Sequence, residues 1–454
     1  MTHIAVIDIG KTNAKLALVD LQTMSEVAVL TRPNTVLSGP PWPHFDVEGH
    51  WAFLLESLAQ FHRAYGVAAI TVTTHGACGA LLEADGQLAA PILEYEFNGP
   101  DDLAIGYDAI RPDFAETGSP RLPMGLNLGA QLYWMFATDP GLRDRVATVL
   151  TYPQYWGFRL TGISASDVSS LGCHTDLWNP DARKFSLLVD RLGLAGKMAP
   201  ARPASDVLGP ILPEIAARTG LHPETPVYCG IHDSNASLLP HILGRAAPFS
   251  VVSTGTWVIA MAVGSRARSL DPARDTLINV SAIGDPVPSA RFMGGREFEI
   301  LISGQYAEPT EADVSHVLSE QIMLMPAIVT DSGPFSGWPA RWSGPEPRLG
   351  TGARTVAASF YLAMMTATCL NLIGHTGPIV VEGPFARNTA YCQMLVAATG
   401  CPVTVANGAT GTSHGAALLA NPDLKHGLGK DEATFSSAPP PLHAYAKAWL
   451  QQAA

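Results

Sequence analysis

Two stretches of the chain repeat one design, and together they restrict its fold more than any other feature. Ala5 to Asp20 reads AVIDIGKTNAKLALVD, and Ser250 to Val263 reads SVVSTGTWVIAMAV. Each is an apolar, β-branched run, a turn of small residues containing Gly and Thr, and a second apolar run. That pattern predicts two strand–turn–strand units. Around the first, HIAVIDIG, AKLALVD and EVAVLTR read as successive strands. HWAFLLESLAQFHRAY follows with Trp51, Leu54, Leu55, Leu58 and Phe61 at helical spacing, and VAAITVTTHG returns to strand. Three strands and then helix–strand units predict an α/β fold with a mixed central sheet flanked by helices.

The pattern restarts near residue 226, where PVYCG reads as strand and DSNASLLPHIL as helix. Beyond the second hairpin, PIVVEGP is strand, ARNTAYCQMLVAATG is helix and PVTVAN is strand. Two similar domains, 1–245 and 246–454, are expected. The length of 454 residues agrees with two or three domains. The Gly-, Pro- and Trp-rich segment 331–353 and SSAPPPL, 436–442, read as exposed loops.

Composition excludes several functions. Hydrophobic residues make up 47% and charged residues 15%, enough for a large core and unlike a disordered chain. A formal net charge of −12 argues against nucleic acid, which demands a basic surface. The cysteines at 78, 173, 229, 369, 392 and 401 form no CxxC pair and read as reduced thiols of a cytoplasmic protein. No secretory leader is evident at the N-terminus, because Asp8 interrupts the apolar run. The uncharged run Thr355 to Gly374 carries several hydroxyls and reads as a buried helix, not a membrane span.

Several short segments carry chemistry. In DIGKTN, Asp8 ends a strand and suits a hydrated Mg²⁺, which keeps waters and few carboxylates. Gly10 permits a positive φ and close approach of backbone N–H groups to an anion. Thr12 and Asn13 add donors, and Lys11 or Lys15 adds charge. In GIHDSNASLLP, Asp233 stands where a helix begins. It is either a plain N-cap or a general base that the helix N-terminus keeps ionised. His232 is a further polar neighbour. STGTW offers Thr254, Gly255 and Thr256 as a second phosphate grip. Gly383 lets a flat ring lie against backbone and Asn388 could bond an adenine edge, while Gly411 opens another helix. These last positions also read as caps. His75 and Gly76 end a strand, and Glu94 and Glu96 follow in an extended stretch that is either a polyol-binding or a solvated face.

DIGKTNAK, THG followed by DG, LTG at 160–162, GIHDSNA, STGTW, EGPFARN and GATGTSHGAA occur in this order over residues 3–425. The set resembles the FGGY family of carbohydrate kinases, in particular the branch of L-fuculose and L-rhamnulose kinases. The resemblance implies two actin-like, RNase H-type domains with a cleft between them, sugar on the first and ATP on the second. It implies that Asp233 is the catalytic base and that Asp8, with Asp233, serves Mg²⁺. Gly10, Thr12, Asn13, Lys15, Thr254, Gly255, Thr256, Gly383, Asn388 and Gly411 would serve ATP. His75, Gly76, Glu96, His232 and Asp233 would line the sugar site. Two departures stand out. GPF replaces a glycine run at 383–385, and EYEFNG puts Glu96 where relatives carry an Asp followed by Arg. The activity expected is phosphorylation of the primary hydroxyl of a ketose, with sugar and ATP as partners, no nucleic acid and no membrane; a homodimer is left open. A non-catalytic sugar or nucleotide sensor, or an actin- or Hsp70-like ATPase, are the competing readings.

Overall fold

A computed structural model describes residues 3–265, 270–406, 411–421, 423 and 433–453. The chain divides into two compact units. The first comprises Met1–Gly244 with Ile278–Pro286 and Ala409–Gly427. The second comprises Arg245–Leu277, Val287–Gly408 and Leu428–Ala454. Two segments beyond residue 245 are grouped with the first unit.

In the first unit, β1 (His3–Ile9), β2 (Asn13–Asp20) and β3 (Ser25–Pro33) form an antiparallel meander. On the other side of β1 lies β4 (Ala69–Thr74), in parallel. The sheet continues through β6 (Pro226–Tyr228) to β5 (Val207–Pro210), and β7 (Ile231–His232) also pairs with β4 in parallel. Strand periodicity sorts the side chains of β1. Ala5, Ile7 and Ile9 pack with Trp51, Leu54 and Leu58 of the helix Val47–Tyr65. Ile4 and Val6 pack on the opposite face with Ala236 and Leu239 of the helix Asp233–Gly244 and with Ala416 and Ala417 of the helix Thr412–Leu418. Gly415 permits those two helices to touch, since a Cβ there would lie 1.7 Å from the Ala236 carbonyl oxygen. Asp8, two residues beyond Val6, shares this second face.

The second unit repeats the plan. Its hairpin is β8 (Phe249–Thr254) and β9 (Val258–Val263). The sheet containing that hairpin runs β10 (Thr276–Val280), β11 (Pro286–Phe292), β9, β8, β12 (Ile379–Glu382), β13 (Val403–Val405), β14 (Thr434–Phe435). As β4 does for β1, β12 flanks β8 in parallel. The helix Gly352–Leu372 is the centre of the core, and 89% of its most apolar stretch is buried. Three of its hydroxyls are satisfied within the helix: Ser359, Thr366 and Thr368 donate to the carbonyls of Thr355, Leu362 and Met364.

Two loop expectations fail in part. Ser332 to Phe335 are buried within the segment read as an exposed loop. The prolines of SSAPPPL begin a helix, Pro440–Gln452, because Pro is favoured where the first N–H groups have no intrahelical acceptor. The six cysteines are free thiols, all buried except the half-buried Cys401.

Candidate active site

Asp8, His75 and Asp233 lie at the carboxyl ends of three adjacent parallel strands. Asp8 pairs in register with Thr73, as does Ile231, and His232 pairs with Thr74. That end of an open α/β sheet is where ligands bind, because the chain leaves each strand there through a turn.

Asp233 opens its helix with one oxygen occupied. Oδ1 accepts from the Ser234 N–H at 2.6 Å and lies 3.1 Å from His232 Nε2. Asn235 Nδ2 faces His232 Nδ1 at 3.4 Å, and Cys173 Sγ faces His232 Nε2 at 3.5 Å. Burial holds the pKa of His232 down, to about 4, so its contact with Asp233 joins a neutral imidazole to a carboxylate. Asp233 Oδ2 has no partner among the described residues, and the side chain is 35% exposed. Burial raises the Asp233 carboxyl above its ordinary range, opposed by His75 and the Ser234 bonds.

Asp8 Oδ2 lies 3.3 Å from Lys15 Nζ and accepts from the Ser413 hydroxyl at 3.5 Å. Burial raises its pKa, Lys15 lowers it, and the charge of Asp233 raises it again. Among the described residues, no cluster of three or more His, Cys, Asp or Glu could cage a metal. A hydrated Mg²⁺ needs only one or two carboxylates, and Asp8 with Asp233 fits that demand. Gly411 caps the helix that brings Ser413 to Asp8, so it belongs with the first unit and not with the second hairpin.

The turn Gly10–Asn13 closes with the Gly10 N–H on the Asn13 carbonyl at 2.9 Å. Gly10 does not use a positive φ, and a Cβ there would meet only the Asn13 oxygen at 3.4 Å. The freedom expected of it is not used. Thr12 and Asn13 are exposed. Sequence reasoning missed what holds this turn. Asn34 Nδ2 donates to the Gly10 carbonyl at 2.8 Å, and its N–H donates to Thr12 O at 2.9 Å. His50 Nε2 donates to Asn34 Oδ1 at 2.7 Å, and Arg32 Nη1 donates to His50 Nδ1 at 2.8 Å. Arg32 is ion-paired with Asp46, whose other oxygen caps the helix Val47–Tyr65. His50 is fully buried, and burial with the Arg32 charge lowers its pKa to about 4. A second missed brace is the buried Asp167. It accepts from the Ser169 hydroxyl at 2.7 Å, and Ser169 Oγ accepts the His232 N–H at 3.2 Å. Gly76 supplies space for His232, since a Cβ there would lie 2.8 Å from Nε2. Glu96 is bound to Lys11.

In the second unit, the Gly255 N–H bonds the Trp257 carbonyl at 3.0 Å and Thr256 is exposed. Thr254 is buried, and its hydroxyl is spent: it donates to the Glu382 carbonyl and accepts from the Phe385 N–H at 3.1 Å. Gly383 has φ +86°, and a Cβ there would lie 2.0 Å from the Thr254 oxygen. Gly295 is equally obligatory, with its Cβ position 2.1 Å from the Gly255 oxygen. The adjacent Gly294–Gly295 at a helix start was the signal for this approach. Asn388 is a cap: Oδ1 accepts the Tyr391 N–H at 3.0 Å and Nδ2 donates to Ser359 at 2.8 Å.

Two family models match the chain. The model for the N-terminal domain of the FGGY family of carbohydrate kinases matches residues 3–240, and that for the C-terminal domain matches 246–427. An L-fuculokinase of Escherichia coli (strain K12) is 24% identical over 451 residues, covering 92% of this chain and 91% of the relative. An L-fuculokinase of Salmonella typhi is 26% identical over 268 residues, 57% of this chain; the match spans 56% of that relative, little more than half its length. Among solved structures, a carbohydrate kinase from Novosphingobium aromaticivorans is 37% identical with a TM-score of 0.90, covering 99% of this chain and 100% of the other. A xylulose kinase from Lactobacillus acidophilus shares the fold at 15% identity, TM-score 0.78, covering 100% and 97%.

Proposed function

This chain belongs to the FGGY family of carbohydrate kinases, and from that premise we propose that it transfers the terminal phosphoryl group of ATP to the primary hydroxyl of a ketose. Deoxy-ketohexoses such as L-fuculose or L-rhamnulose, and pentuloses, are the first substrates to test. The observation that carries the reading is the asymmetry of Asp233. The Ser234 N–H fixes one oxygen, with His232 Nε2 3.1 Å from it, while the other is open. A carboxylate so held takes the proton of a hydroxyl placed against Oδ2 as that hydroxyl attacks phosphorus. Its raised pKa makes it a better proton acceptor than an ordinary aspartate. His75 and Glu96 would hold neighbouring hydroxyls, and Gly76 shapes the pocket by admitting His232.

Asp8 with Asp233 would hold a hydrated Mg²⁺, which supplies charge neutralisation on the phosphoryl oxygens when bound. Lys15 orients Asp8, and Thr12 and Asn13 present exposed donors at the turn. On the second unit, Gly255 and Thr256 would face the phosphate chain. Thr254, Gly383 and Asn388 act by holding the backbone beside it, since their polar groups or their space are already used. The test is Asp233→Ala in an assay coupled to ADP release. Sugar phosphorylation should fall by roughly 1,000-fold or more, while the dissociation constant for ATP changes little. Turnover near that of the parent would remove Asp233 from the role of base.

A further inference from the structure

Lys11 stands one residue beyond Gly10, and its donors are taken. Nζ is bound to Glu94, lies 2.9 Å from Glu96 Oε2 and sits 4.6 Å from the centre of the Tyr95 ring. Glu94 is 7% exposed and also accepts the Glu96 N–H at 3.0 Å. The Tyr95 ring packs 5.0 Å from that of His75, which is itself buried. His75 Nδ1 donates to the Gly76 carbonyl at 2.9 Å, so Nε2 carries a lone pair, and it is buried without a partner among the described residues. His75 feels the charges of both Lys11 and Asp233, so the clasp and the base act on the same place.

Apart from the hydroxyls of Tyr95 and Tyr152, whose rings pack 5.0 and 5.1 Å from that of His75, the side chains of this place offer acceptors. Asp233 Oδ2, the second oxygens of Glu94 and Glu96, and His75 Nε2 are all acceptors. The two ammonium groups are committed. Lys11 serves Glu94 and Glu96, and Lys15 lies 3.3 Å from both Asp8 and Glu26. A ligand rich in hydroxyls brings the donors that these acceptors lack. A carboxylate brings only acceptors and a charge of the wrong sign.

Resting on the kinase reading above, we propose that the Glu94–Lys11–Glu96 clasp is a specificity device. It admits an uncharged polyol or ketose and refuses an aldonic acid. Glu94 and Glu96 are the groups that take the sugar hydroxyls. Lys11 is the positioning residue that keeps the two carboxylates together, and it is unavailable to a substrate carboxylate.

The experiment compares kcat/KM, by ADP release with ATP and Mg²⁺, for a panel of neutral ketoses and polyols and for gluconate. Gluconate should be at least ~100-fold poorer than the best neutral substrate. Glu96→Gln, at a half-exposed side chain that should not disturb folding, replaces an acceptor by a donor and removes a charge. It should narrow the ratio by roughly 10-fold, with gluconate rising and the neutral substrate falling. Lys11→Met should raise KM for the neutral substrate, leave kcat less affected and fail to narrow the ratio. Gluconate within ~10-fold of the best neutral substrate, or a ratio unmoved by Glu96→Gln, overturns the proposal while leaving the kinase reading standing. ADP release with no member of the panel removes the kinase reading and this inference with it.

Discussion

The two hairpins are alike in sequence and strand pairing, and they differ in what holds their turns. The first turn is held by side chains. Asn34 grips it from below, His50, Arg32 and Asp46 back Asn34, and Lys11 ties the tip to Glu94 and Glu96. The second is held mainly by backbone approaching backbone, through Gly295 at Gly255 and Gly383 at Thr254, with one side chain, Thr254, joining Glu382 to Phe385. On the function proposed above, the first would present ionic groups for proton transfer and sugar recognition, and the second would offer backbone N–H groups to a polyphosphate.

The largest expected effect separates these two kinds of support. Gly383→Ala puts a methyl 2.0 Å from a carbonyl oxygen at a φ of +86°. It should cost about 3 kcal/mol or more and abolish nucleotide binding. Gly10→Ala meets only an ordinary contact and should cost no more than about 1 kcal/mol. Urea unfolding of both variants checks this. Equal losses would mean that the first turn depends on its glycine after all.

The next prediction uses pH, and its sign is opposite in the two units. His50 of the first unit has a pKa lowered from 6.5 to about 4, so the unfolded chain binds its proton first as pH falls. Its stabilising contribution is intact above 6.5 and is lost as pH drops towards 4. Glu297 of the second unit is fully buried, and burial raises its pKa from 4.5 to about 7. Its contribution is present below 4.5 and is lost as pH rises towards 7. The difference in stability between parent and His50→Gln should therefore shrink on acidification. The difference between parent and Glu297→Gln should shrink as pH rises from 4.5 to 7. Differences that run the same way with pH would contradict the assigned protonation states.

How much of this was legible follows the range of the interactions. The hairpins, the three-strand meander and the place of Asp233 at a helix start were readable, because apolar alternation and turn residues act over a few positions. The return of Thr412–Leu418 to the first unit was not readable, because nothing within GTSHGAALLA says which sheet it covers. The same applies to Asn34, His50 and Arg32, whose partners are chosen by strand register and helix packing. His50 read only as the first residue of a helical run. Asn388 and Thr254 show the converse problem. Their types suit both a ligand and an internal bond, and only the geometry reveals that the bond is internal.

The smallest effect concerns the side chains that pin each turn. Asn34→Ala leaves the Gly10 carbonyl and the buried His50 Nε2–H without partners, and should cost about 2 kcal/mol. Thr254→Val keeps the shape and strips a hydroxyl that joins Glu382 to Phe385, and should cost about 1 kcal/mol. The functional consequences should split although the stability costs are close. Loosening the first turn moves the groups beside Asp8 and should lower kcat. Loosening the second moves the Gly383–Phe385 turn and should raise KM for ATP with kcat nearly kept. Steady-state kinetics at varied ATP and saturating sugar separate the two. If both variants changed only KM for ATP, the hairpins would be two halves of one phosphate grip, and the first hairpin's share in the chemistry would pass to Asp233 alone.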